Sequence, residues 1–208
     1  MSGATQSRSS DADGEKTTRS GIARRLRGFA PLVAPADGLR AATVVIAVTE
    51  QNGQYGIWLT KRSAQMREHP GQYVLPGGRA EPGEDYVTAG LRELVEELGL
   101  SLTRDHVLGR LDDYVTKSGY VIAPIVCWAA NGVDTQRNPD EVASVHFVSF
   151  AELLATPRFE AIQETDRRVI QFPLLGILIN APTGAVLYQF AEVVLRGRPT
   201  RVSGLEEP

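Results

Sequence analysis

The chain has 208 residues, 22 Lys+Arg against 25 Asp+Glu, a formal charge of −3 and 42% hydrophobic residues. This length suits one domain with decoration and a sizeable core, and the mildly acidic balance argues against a protein that lives on nucleic-acid backbone. No apolar run is long enough to span a membrane, the N-terminus lacks the apolar stretch of a secretory signal, and the single Cys127 permits no internal disulfide. The expectation is a cytoplasmic chain with neither nucleic acid nor membrane as partner.

Residues 1–20 are polar and are expected to be disordered. Gly21–Ala30 fits a short helix with Ile22, Leu26 and Phe29 on one side, where Arg24, Arg25 and Arg27 make either a solvated face or an anion dock. Pro31–Gly38 reads as a linker. The organisation expected is therefore a tail over 1–20, a helix and linker over 21–40, and a folded domain over 41–200. Within that domain, Ala41–Val48 is a continuous β-branched run, a buried strand, and Tyr55–Thr60 follows the turn Gln51-Asn52-Gly53 as its hairpin partner. Tyr73–Leu75 is short and stops at Pro76-Gly77-Gly78. A helix is predicted over 84–98, with Asp85 as cap and Gly99 as terminator. Val107–Thr116, Tyr120–Ala129 and Val142–Val148 read as strands, Ala151–Ala155 as a short helix, and Ala185–Leu195 as a terminal helix opened by Pro182-Thr183-Gly184. Arg167–Ile179, punctuated by Pro173 and Gly176, receives no assignment. This order of elements predicts an α+β fold rather than a doubly wound sheet.

The predicted helix over 84–98 is the segment with chemistry. On a helical wheel Val87, Leu91, Leu94, Val95 and Leu98 form an apolar stripe, and Glu93, Glu96 and Glu97 share the opposite face. Ala89 and Gly90 lie on the acidic side and leave room for a ligand. Glu93 and Glu97 are like charges at i,i+4, a pairing that costs about 0.2–0.5 kcal/mol, and they sit in the last turns, where the helix dipole disfavours anions. Arg92 can pair with Glu96 at i,i+4, but one arginine does not neutralise three glutamates. A hard divalent cation would relieve the rest; on the wheel alone, a solvated acidic face stands level with that reading.

Gly78, Glu84 and the run from Arg92 to Leu100 fit, without a gap, the pattern G-x5-E-x7-R-E-U-x-E-E-x-G-U, with U aliphatic. Seven fixed positions at roughly 7% background give a chance match on the order of 10⁻⁸. The segment resembles the Nudix box, and the resemblance implies a Nudix fold, a mixed sheet between helices. It also implies hydrolysis of a small-molecule diphosphate with Mg²⁺ or Mn²⁺. Carried over by position, Glu93 and Glu97 are metal ligands, Glu96 a third and the Gly78 carbonyl a fourth. Arg92, Glu93 and Glu96 would be catalytic, and Glu84 a salt-bridge partner or outer ligand. Members differ in the general base; Glu141, in the loop Asn138-Pro139-Asp140-Glu141, is a candidate beside the box glutamates, or an ordinary loop charge.

Upstream, Leu59-Thr60-Lys61-Arg62-Ser63-Ala64 continues through Arg67 and Gly71-Gln72 to Leu75-Pro76-Gly77-Gly78. This is similar to the extra signature of the coenzyme A diphosphatase subgroup, with Leu75 in place of the usual Phe and Trp58 in place of the first Leu. The resemblance implies coenzyme A or acyl-coenzyme A as substrate, with Arg62, Arg67, Gly77 and Gly78 binding it. The alternatives are the same chemistry on ADP-ribose, NADH or an oxidised nucleoside triphosphate, and a non-catalytic nucleotide sensor on the same scaffold. A homodimer is compatible with the sequence and not required by it. Cys127, inside an apolar strand, reads as a small buried hydrophobe; Trp58, Tyr73 and Tyr120 read as packing or as a base stack.

Overall fold

The β-branched run becomes the central strand of the molecule. The computed structural model describes residues 17–35, 38–129, 134–162 and 167–208. In chain order it has α1 (Arg19–Gly28), β1 (Arg40–Gln51), β2 (Gln54–Arg62), β3 (Tyr73–Val74), β4 (Gly77–Arg79), α2 (Tyr86–Leu98), β5 (Val107–Arg110), β6 (Tyr114–Val115) and β7 (Tyr120–Trp128). Then come β8 (Val142–Ser149), α3 (Phe150–Leu153), β9 (Arg158–Ala161), β10 (Arg168–Leu174), β11 (Ile177–Asn180), α4 (Thr183–Phe190) and β12 (Leu205–Glu206).

β1 and β2 form the expected hairpin, Val48 opposite Ile57, through Asn52 and Gly53 at φ 53° and 77°. Both positive values match what a two-residue hairpin turn of this hand demands. On its other side β1 runs parallel to β7, from Arg40 opposite Tyr120 to Val48 opposite Trp128. The mixed sheet has the order β3-β2-β1-β7-β5, with β4 beside β1, β6 beside β7 and β8 beside β2; β9–β12 form a second, smaller sheet around β10.

Side chains alternate across β1, so its two faces meet different partners. Val45 and Ala47, with Ile125 and Cys127 of β7, pack on Leu94 and Leu98 of α2. Ile46, Val48 and Val126 pack on Ile22 and Leu26 of α1 and on Leu187 and Phe190 of α4. The result is the predicted α+β architecture, a mixed sheet between helices. Among the described residues, no helix is long and apolar enough to cross a membrane.

Several expectations need correction. Val107–Thr116 is not one strand: it breaks between β5 and β6 because Asp112 and Asp113 turn to other partners. The Leu32 amide donates to Asp112 at 2.7 Å, the Ala34 amide to Asp113 at 3.0 Å, and Gln189 Nε2 to Asp112 at 2.7 Å. The stretch left unassigned is the hairpin β10–β11, turning at Leu175 and Gly176, both at positive φ. Helix α1 begins at Arg19, inside the expected tail, because the Thr18 hydroxyl caps the Gly21 amide at 3.2 Å; residues 1–16 of that tail lie outside the described residues. The terminal helix starts at Thr183 and passes at Ala191 into a π-helical segment ending at Gly197. The wheel also misplaces Val95, which is half exposed, and Gly90, whose bare Cα gives room to the sheet rather than to a ligand.

At Gly90 a methyl group would lie 2.5 Å from Ile125 Cδ1 and 2.9 Å from Val45 Cγ2. Gly90→Ala is therefore expected to cost about 1–3 kcal/mol in urea unfolding through overpacking, although alanine is the better helix former by about 1 kcal/mol. Adding Ile125→Val, which removes the opposing methyl, should recover part of that loss; a stabilised single variant would contradict this packing.

Candidate active site

Helix α2 is fixed at both ends. The Asp85 side chain accepts from the Thr88 amide at 2.8 Å, which satisfies one of the free amides of the first turn. At the other end Gly99 takes the left-handed conformation (φ 66°), and its amide returns to the last turn. The segment after β7 supplies two further caps: the Gln136 amide donates to Leu98 O at 2.8 Å and the Asn138 amide to Glu97 O at 3.0 Å. These bonds draw the loop carrying Glu141 over the end of the helix, and the Ser63 amide, bonded to Glu141 O at 2.8 Å, ties it to the end of β2.

Arg92 is the cationic node. Its guanidinium donates to Glu84 through Nε and Nη2, both at 3.2 Å, to Glu93 at 2.9 Å, to Glu96 at 2.8 Å and to the Arg79 carbonyl at 3.0 Å. The hydrogen bond from Arg92 and then that from the Glu81 amide hold the Glu84 carboxyl below its ordinary range, and the carboxylates hold Arg92 firmly protonated. Glu84 is thus a salt-bridge partner.

Glu97 is the unusual member. It is 4% exposed, and the polar contact found for its carboxylate is the Gly77 amide at 3.3 Å. Burial first, and then the charge of Glu93, push its carboxyl up to about 8; the Gly77 amide and Arg62 pull it down, and Glu141 adds to the rise. Burial raises Glu93 as well, against the pull of Arg92. Gly78 leaves the Glu93 carboxylate where it is, since a Cβ there would lie against its oxygens and push it aside.

The structure brings Arg62, Gly77, Gly78, Arg92, Glu93, Glu97 and Glu141 to one place. Glu96 lies at its edge, half exposed and paired with Arg92, and Arg67 is exposed on the loop after β2 with no ion pair among the described residues. No three Asp, Glu, His or Cys side chains among the described residues converge as a ready-made metal cluster. The chemistry of the pair nevertheless fits a divalent cation: two carboxylates, Glu97 buried and Glu93 largely so, both driven toward the neutral form first by burial, lie against bare glycine backbone. Cys127 is fully buried, its thiol pushed up to about 12, and Tyr73 packs edge-on against His146 at 5.1 Å. Sequence reasoning missed Asn138 as a helix cap and Arg79 as the carbonyl behind Arg92; neither belongs to a local pattern that would have marked it.

This constellation, a buried glutamate pair beside a glycine turn on a mixed sheet, defines a class. The NUDIX domain family matches residues 38–171, more than half of the chain, which therefore belongs to the Nudix family and is a Nudix hydrolase. It is 33% identical over 141 residues to an uncharacterized Nudix hydrolase, NudL, of Photorhabdus laumondii, an alignment covering 65% of this chain and 75% of that one. It is also 33% identical over 105 residues to NudL of Yersinia pestis, where it spans about half of the relative, 53%. Among solved structures, a MutT/nudix family protein from Enterococcus faecalis superposes with a TM-score of 0.53 at 13% identity, covering 91% of this chain and 76% of that one. A Nudix hydrolase from M. smegmatis, RenU, gives 0.51 at 19% identity, covering 79% and 90%. Both show the fold.

A carboxyl held above its unfolded value of 4.5 favours the fold below that pH and loses this contribution as pH rises through about 8. In EDTA, the stability of the wild type should therefore fall between pH 5 and pH 8 by on the order of 4 kcal/mol more than that of Glu97→Gln. Urea unfolding at the two pH values measures the difference; parallel profiles would mean that Glu97 is not buried as described.

Proposed function

We propose that the chain hydrolyses the diphosphate of coenzyme A or an acyl derivative, releasing adenosine 3′,5′-bisphosphate and (acyl-)4′-phosphopantetheine, with Mg²⁺ or Mn²⁺ bound. The observation that carries this reading is the position of Arg62. It ends the strand of the Leu59-Thr60-Lys61-Arg62-Ser63 stretch and its positive charge acts on Glu97, while its Nε is anchored on the Glu68 carbonyl at 3.1 Å. A forked guanidinium beside a carboxylate pair is suited to grip one phosphate of a diphosphate.

In this reading Glu93 and Glu97 would hold the ion beside the Gly78 backbone, and Glu96, half exposed and paired with Arg92, would stand at the edge of the site. When bound, the ion neutralises charge on the diphosphate oxygens and lowers the pKa of a bound water. Arg92 orients Glu93 through their 2.9 Å bond and is a positioning residue. Glu141, fixed over the helix end by its loop, is suited to take a proton from the attacking water. The hydrolase domain takes in α1, which packs under the sheet, and runs to about residue 200.

A product-mass screen with Mg²⁺ and Mn²⁺ over coenzyme A, dephospho-coenzyme A, ADP-ribose, NADH and oxidised dGTP tests the substrate. Selective release of adenosine 3′,5′-bisphosphate from coenzyme A is expected; cleavage of another compound alone would overturn the substrate and keep the chemistry. On the cleaved substrate, Glu97→Gln should lower kcat by at least about a hundredfold, and near-normal turnover would refute the metal assignment.

A further inference from the structure

The carboxylates of α2 are not the only charges gathered near the start of β1. Arg40 opens β1 in register with Tyr120 of β7, and Arg79 closes β4 opposite Ala42. Residues two apart on a strand share a face, so Arg40, Ala42 and their cross-strand neighbours line one surface. The Arg40 guanidinium stands 3.8 Å from the Tyr120 ring centroid and that of Arg79 stands 5.2 Å from the same ring. One such cation–π contact is ordinary packing, but two on one ring bring like charges together.

Little on the protein offsets them. Arg79 pairs with Glu68 at 3.1 Å, both side chains more than half exposed, and an exposed pair of this kind is weak. Arg40 gives a hydrogen bond to the Ser118 carbonyl at 2.7 Å and forms no ion pair among the described residues. The hydroxyl of the same Tyr120 is buried without a hydrogen-bond partner. Two guanidiniums, an unmet donor and one displaceable carboxylate are the complement of an oxyanion, and arginine's planar fork matches phosphate oxygens.

The cluster also adjoins the reaction centre. Arg79 follows Gly78 directly, and its carbonyl accepts from Arg92. Glu68, its ion-pair partner, accepts at its own carbonyl from Arg62, whose charge reaches Glu97.

We propose that Arg40, Arg79 and Tyr120 form a second anion subsite, which takes a phosphomonoester carried by the substrate beside its scissile diphosphate. The inference deepens the coenzyme A reading and rests on it for the source of that group, the 3′-phosphate of the adenosine half. Arg62 then serves the diphosphate, Arg79 exchanges Glu68 for the phosphomonoester, and Arg40 closes from the other strand.

Calorimetric binding of adenosine 3′,5′-bisphosphate and of 5′-AMP, to the wild type and to Arg40→Gln, Arg79→Gln and Tyr120→Phe, tests this without turnover. The wild type is expected to prefer the bisphosphate at least about tenfold, and the preference should collapse toward unity in the two arginine variants and shrink in Tyr120→Phe. A general disturbance of the fold would weaken both nucleotides alike and leave their ratio unchanged, which, like equal binding by the wild type or no binding at all, overturns the subsite. Coenzyme A left uncut while the ratio holds would refute the substrate reading and leave the subsite standing.

Discussion

A carboxylate sealed beneath its own helix is the constraint around which this site is built. Glu97 is almost wholly buried, with the Gly77 amide as its hydrogen-bond donor, and burial pushes its carboxyl up to about 8. The rest of the neighbourhood follows from keeping that position open. Glycines at 77 and 78 let the β4 backbone run against the helix without filling the space, Gly90 lets α2 sit close on β1 and β7, and Arg92 is kept busy by Glu84 and Glu96 rather than collapsing onto Glu97. A protein selected for stability alone would have placed a leucine at this position.

The division of labour among the three glutamates of α2 comes from geometry that a wheel drawn on paper represents only in part. Glu93, Glu96 and Glu97 do share the acidic side of α2, yet they differ sharply: Glu97 is roofed by the glycine turn, Glu93 is shared between that turn and Arg92, and Glu96 faces outward. A wheel gives azimuth and not the height of what packs above it. The same limit explains Val95, which lies in the apolar stripe by angle but is half exposed, and Gly90, whose small size serves packing.

The local patterns were legible. The β1–β2 hairpin, the cap at Asp85, the stop at Gly99 and the spacing from Gly78 to Leu100 are short-range signals, and each is visible without a structure. What escaped was set by distant partners. Asp112 and Asp113 look like residues of a strand until Leu32, Ala34 and Gln189 claim them; Asn138 looks like a loop polar residue until it caps the Glu97 carbonyl. Arg40 and Arg79 stand far apart in sequence on separate strands, and it takes the pairing of β1 with both β7 and β4 to set them against one tyrosine.

The tether from Leu32 and Ala34 to Asp112 and Asp113 has a bearing on where this domain can be cut. Family likeness begins at residue 38, but the packed body begins about twenty residues earlier, because Ile22 and Leu26 of α1 and Phe29 just after it are sealed into the same core as Phe190 and Val194. A fragment trimmed to the recognisable segment would bare one whole side of the sheet and strand two aspartates without their amides. Recombinant boundaries, fusions and proteolytic dissection should therefore respect Thr18 rather than the start of the family match. Recognisability and foldability have different edges in this chain.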